Sequence, residues 1–148
     1  MTSFVFYAVV GVLGILSMGF QLLASRLLSP HFGSSIVVWA WLISTFLAAF
    51  SAGSMLGGWI SNLPADRRRR GQWAAAVAAV ATLAFTAVAG RAALERIEPA
   101  FASVNDGLCV ACAALFLLPV AALSCFGAQG VQFLAGRGTP PGQASGLV

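Results

Sequence analysis

The chain has 148 residues, of which 59% are hydrophobic and only 8% charged, and it contains no lysine. A soluble domain carries roughly 25% charged residues, so this chain cannot cover its own surface with polar groups and most of it must be solvated by lipid. The net charge of +4 comes mainly from one arginine cluster and gives no ground for a nucleic-acid partner.

In hydrocarbon every backbone N–H and C=O needs an internal partner, which leaves helices or a closed barrel. Apolar runs of about 20 residues rich in Ala, Leu, Val and Phe, without strict alternation, choose helices. The expected fold is all-α, a polytopic membrane protein with four transmembrane helices forming one domain over residues 1–148. The first span is expected from Phe4 to Leu28, the second from Ser34 to Ile60, the third from Gln72 to Leu94 and the fourth from Leu108 to Leu134, with residues 135–148 as a cytoplasmic tail.

The first run lacks a basic leader and an A-x-A site, and it exceeds the ~7–15-residue apolar core of a signal peptide, so it reads as a retained membrane helix. Gly11, Gly14 and Gly19 give it a thin side. "SRLLSPHFGSS", residues 25–35, then breaks the apolar sequence. Pro30 and Gly33 are expected to make the turn, with Ser34 or Ser35 capping the second helix and Arg26 snorkelling to the interface. The partial positive charge of that helix start, beside Arg26 and His31, would suit an anionic headgroup or a partner's carboxylate. Gln21, Arg26, His31 and Ser34 are therefore a candidate ligand or lipid contact, and a well-capped hairpin is the simpler reading of the same residues.

On the second span "SAGSMLGG" holds two overlapping small-xxx-small pairs, Gly53 with Gly57 and Ser54 with Gly58, which would let another helix approach closely. Whether that helix belongs to the same chain or to another subunit is open from sequence. "DRRRRGQW" follows, and Arg67, Arg68, Arg69 and Arg70 read as a topology anchor. With Arg137 they outnumber Arg26, Arg91 and Arg96 across the membrane, which places both termini in the cytoplasm of a bacterial-type inner membrane.

All four acids, Asp66, Glu95, Glu98 and Asp106, fall in the expected loops, so no carboxylate is expected at membrane depth for a proton relay. "CVAC" places Cys109 and Cys112 at the start of the fourth span, with Cys125 deeper. Without a βαβ context or further ligands these read as buried thiols. Pro119 removes a donor and should bend the fourth helix. "GRGTPPGQASG" follows a helix and lacks the spacing of a phosphate loop. No catalytic set, cofactor or metal site is expected.

The stretch opening at Gln21, "QLLASRLLSPHFGSS", with the Trp and glycine pattern after it, resembles the first two membrane helices of the fused spermidine-synthase-like (polyamine aminopropyltransferase-like) family. The matching positions are Ala24 to Leu28, Pro30, Phe32, Gly33, Ser34 or Ser35, Trp39, Gly53, Gly57 and Gly58. "ADRRRRG" is similar to the cytoplasmic loop between helices two and three of major-facilitator-type transporters, and "GQASGLV" resembles the family segment leading into a fifth helix. The family usually carries a glutamate where this chain has Gln21, and no residues here match its soluble catalytic domain. The resemblance thus implies a non-catalytic membrane module that contacts lipid and packs as a subunit or anchor against a protein partner or further copies of itself. The alternatives are a small transporter, or transporter fragment, working as an oligomer, and the membrane component of a split aminopropyltransferase-like enzyme.

Overall fold

The computed structural model describes residues 2–136. These residues form helices throughout, without a strand among them: α1 (Thr2–Phe32), α2 (Ile36–Ser61), α3 (Ala65–Ala100), α4 (Val104–Cys112) and α5 (Leu118–Ala135). A π-helical turn, Ala113–Leu117, joins α4 to α5 as one rod. Three segments are long and apolar enough to cross a membrane, namely α2, α3 and the rod over Val104–Gln132, and α1 is a fourth long helix beside them.

Three helices run further than hydropathy predicts. α1 continues through Pro30 and His31 to Phe32, so Pro30 lies in its last turn and does not make the bend. A proline there forfeits only the N–H that would have served the Arg26 carbonyl. The bend falls to Gly33 alone, whose φ of 75° is open to glycine without strain. Its N–H closes onto the Ser29 carbonyl at 3.0 Å. Ser35, rather than Ser34, caps α2, its Oγ accepting from the Val38 N–H at 3.4 Å.

α3 begins at Ala65 and ends at Ala100, so the arginine run and the Glu95–Glu98 segment are helical and not loop. Its 36 residues span about 54 Å at ~1.5 Å per residue, well beyond a ~30 Å hydrocarbon layer. The rod likewise begins at Val104, earlier than Leu108.

α2 and α5 form the closest pair. A Cβ built on Gly53 would collide with the Ala121 carbonyl and Ser124 Oγ, and one on Gly57 with the Cys125 backbone. Ser124 Oγ is shared between the Ala121 carbonyl at 3.0 Å and the Ala49 carbonyl of α2 at 3.4 Å. α1 is held at a junction of three rings, with Phe20 5.8 Å from Phe116 and 6.0 Å from Phe46 between centroids. Gly90 of α3 receives Leu27. Around these contacts lies one buried cluster that includes Leu28, Leu42, Leu94, Leu108, Leu115 and Val120.

Pro119 produces a local change of helix type. It cannot donate to the Leu115 carbonyl four residues earlier, and its ring would crowd that carbonyl in an α-helix. The π-turn relieves the crowding, and Thr86 Oγ1 of α3 lies 2.9 Å from the freed Leu115 oxygen. The same hydroxyl is 3.0 Å from the Thr82 carbonyl, so its single proton serves one of the two at a time.

The extra residue of the turn also rotates α5. A continued α-helical stripe from Leu115 would bring Leu118 and Ala122 inward. Instead Leu118 is 60% exposed and Val120 is fully buried, followed by Ala121, Ser124 and Cys125. The delay is what sets small side chains opposite Gly53 and Gly57.

Candidate functional site

The four residues expected to form a ligand contact are not brought together. Arg26 and Ser34 are exposed, and neither has a hydrogen bond or ion pair among the described residues. Gln21 is half-buried ten residues before His31, about 15 Å along the helix. Arg26 and His31 are five positions apart, which turns them roughly 140° from one another.

His31 instead faces α3. Its Nδ1 lies 2.8 Å from Glu98 Oε2, with the His31 side chain 12% exposed and that of Glu98 49%. A second tie forms beside it, where Trp41 Nε1 donates to Asn105 Oδ1 at 3.1 Å. Phe32 and Phe101 close over Gly107, where a Cβ would just touch both rings. Together these contacts bind the ends of α1 and α3 to the starts of α2 and α4. A histidine–carboxylate pair can orient a base or a metal ligand. No group of three His, Cys, Asp or Glu side chains gathers here or elsewhere among the described residues. The arrangement is a clasp across four helix ends.

The small-residue pairs separate into two roles. Gly53 and Gly57 are buried against α5 of the same chain. Ser54 is exposed, and nothing lies within 4 Å of a Cβ at Gly58. Gly11, Gly14 and Gly19 are equally open. The three thiols are free, with Cys112 and Cys125 buried and Cys109 partly so.

At the opposite end from the clasp, Gly71 permits α3 to begin close to α2, since a Cβ there would press on the Ile60 side chain. Arg67, Arg68, Arg69 and Arg70 are all exposed on the first turns of α3, just after Asp66. Between them and α5 lies an open hollow of about 750 Å³ whose walls include Asp66, Arg68, Arg69, Gln72, Trp73 and Phe126. A shallower hollow beside it is lined by Asp66, Arg69, Arg70 and Trp73. Arg137 and the "GRGTPPGQASG" segment after Gly136 lie outside the described residues.

The charge run itself was plain in the sequence, whereas the hollow was not. Nothing local links Arg68 to Phe126, and only the rotation of α5 and the early start of α3 place them together. The His31–Glu98 and Trp41–Asn105 pairs join residues 67 and 64 positions apart, which no short motif could signal.

Comparison with known proteins adds no relative: no family model matches the chain, and neither a curated protein nor a solved structure is similar to it.

Proposed function

We propose that the chain is a non-catalytic integral membrane module of four spans that serves as a subunit or anchor, packing against a protein partner or further copies of itself. The observation that carries this reading is the distribution of surface chemistry. Large apolar side chains such as Ile15, Met18, Leu22, Leu47, Leu56, Val80 and Val88 are exposed along the shafts, while every charged side chain described is exposed too, and most lie near helix ends. Trp39 and Trp59 are both exposed on α2 and stand 20 residues apart, about 30 Å, which matches the spacing of two interfacial belts. Buried polar atoms in the shafts, such as Thr86 and Ser124, spend their hydroxyl protons on carbonyls within the bundle.

In this reading the arginine end faces the cytoplasm, and the clasp faces outward across a bacterial-type inner membrane. The resemblance to the membrane part of spermidine-synthase-like proteins favours the same role, with the catalytic work done by other polypeptides. The partner-facing surface is the open glycine side of α1, where Gly11 and Gly14 leave room for a helix.

A second reading, a transporter or transporter fragment acting as an oligomer, draws on the π-turn at Ala113–Leu117. Interrupted helices recur at transport sites.

The test is purification in mild detergent from the native host, with mass spectrometry of whatever remains bound. A stoichiometric protein partner is the expected result. A chain that comes alone as a homo-oligomer with a water-accessible path near Gln21 would replace the anchor reading with the transporter one.

A further inference from the structure

We propose that the hollow between the start of α3 and α5 is a seat for the phosphate-bearing headgroup of a membrane lipid. The proposal builds on the membrane reading above and adds a specific ligand chemistry to one place on the surface. Two guanidinium groups, Arg68 and Arg69, and the Gln72 amide line the hollow, which supplies several N–H donors suited to phosphate oxygens. Asp66 is the one carboxylate in the wall, and no ion pair joins it to any of Arg67–Arg70 among the described residues. The arginines therefore keep their donors available. At the opposite end, by contrast, Arg91 and His31 are matched with Glu95 and Glu98.

The rest of the wall is apolar. Trp73, 65% exposed, stands at the rim, and Ala76 and Phe126 lie deeper along the shafts. Val77 and Val80 continue outward from the same region of α3 as exposed side chains. A cationic mouth that runs directly into an apolar wall fits an amphiphile, whose headgroup and first acyl carbons need both surfaces. A soluble anion would use only the mouth. Tryptophan at the rim belongs at the level of headgroups, where its ring is half in and half out of hydrocarbon.

The arginine run contains its own control. Arg69 lines both hollows, and Arg67 lines neither. The experiment places the full chain and the Arg69→Gln and Arg67→Gln variants in phosphatidylcholine nanodiscs, titrates in phosphatidylglycerol, and counts retained lipid by native mass spectrometry. Incorporation into the discs separately reports whether the chain is a membrane protein at all, so failure of that reading is distinguishable from failure of this one. The expected result is saturable retention of the anionic lipid, weakened about tenfold by Arg69→Gln through loss of a charge-assisted contact. Arg67→Gln, with the same change in net charge, should stay within about twofold, since only the diffuse surface potential is reduced. Equal weakening by the two variants would overturn the seat in favour of non-specific attraction. Inorganic phosphate that displaces the lipid fully at millimolar concentration would overturn it as well, because the apolar wall would then contribute nothing.

Discussion

Alanine at Gly57 should destabilise the bundle by about 2 kcal/mol, and alanine at Gly58, the next residue, should not. A Cβ at Gly57 would stand 2.9 Å from Cys125 Cα and closer still to the Cys125 carbonyl, where ordinary contact begins near 3.4 Å. These are backbone atoms, so no side chain can swing aside and α2 and α5 must separate by at least half an ångström along their closest stretch. Overpacking of this kind costs ~1–3 kcal/mol, and the unyielding partner places this site at the upper end. Replacing glycine by alanine within a helix returns about 0.8–1 kcal/mol through backbone propensity, which leaves the net loss near 2 kcal/mol. At Gly58 nothing lies within 4 Å of the added methyl, so only the propensity gain remains. Reversible unfolding of both variants in mixed detergent micelles, titrated with a denaturing detergent, reads the difference directly. Equal stability of the two variants, or a weaker Gly58→Ala protein, would refute the assignment of the Gly53–Gly57 edge to α5.

Three further outcomes are expected. Thr86→Val should cost about 1–3 kcal/mol by leaving the buried Leu115 carbonyl without a donor. In Pro119→Ala the chain regains an N–H for that oxygen, so a double-mutant cycle should show the two substitutions to be non-additive; simple additivity in the same unfolding assay would separate the proline from the threonine contact. His31→Gln and Glu98→Gln should each lower stability by no more than about 1 kcal/mol, because Glu98 is half exposed and solvent screens the pair. Limited proteolysis at the 33–35 turn should nonetheless rise in both variants, and unchanged cleavage would show that the clasp does not hold α1. Trp41→Phe should loosen the same end by about 1 kcal/mol through loss of the Asn105 bond, measurable as faster amide exchange near Ser103.

How far sequence carries is clear from particular residues. Hydropathy located the four long helices because lipid-facing shafts must be apolar. It missed their ends, since Arg67–Arg70 and Glu95–Glu98 are polar for the water they meet and remain helical regardless. The smallness of Gly53 and Gly57 was legible, but not which of the two overlapping pairs faces a neighbour. That choice depends on how α5 is rotated. Pro119 announced a disturbance in the fourth helix, yet its form, a π-turn backed by Thr86, requires a donor from another helix. The expected grouping of Gln21, Arg26, His31 and Ser34 failed for a geometric reason. Proximity in sequence was read as proximity in space, while the helix continued through Pro30 and pointed those side chains apart.

The π-turn at Ala113–Leu117 has a bearing on how this chain can vary in length. It behaves like a vernier, one surplus residue that sets the phase of everything after it. Removing a single residue there would turn α5 by about 100° against α2 while leaving every later side chain chemically intact. Leu118 and Ala122 would then approach the glycine edge, and Val120 and Cys125 would rotate toward lipid. Substitutions along α5 are thus local events, whereas a one-residue deletion in the turn is equivalent to rewriting the whole helix face. Chains sharing this architecture should therefore tolerate changes of side chain within 113–117 far more readily than changes of count.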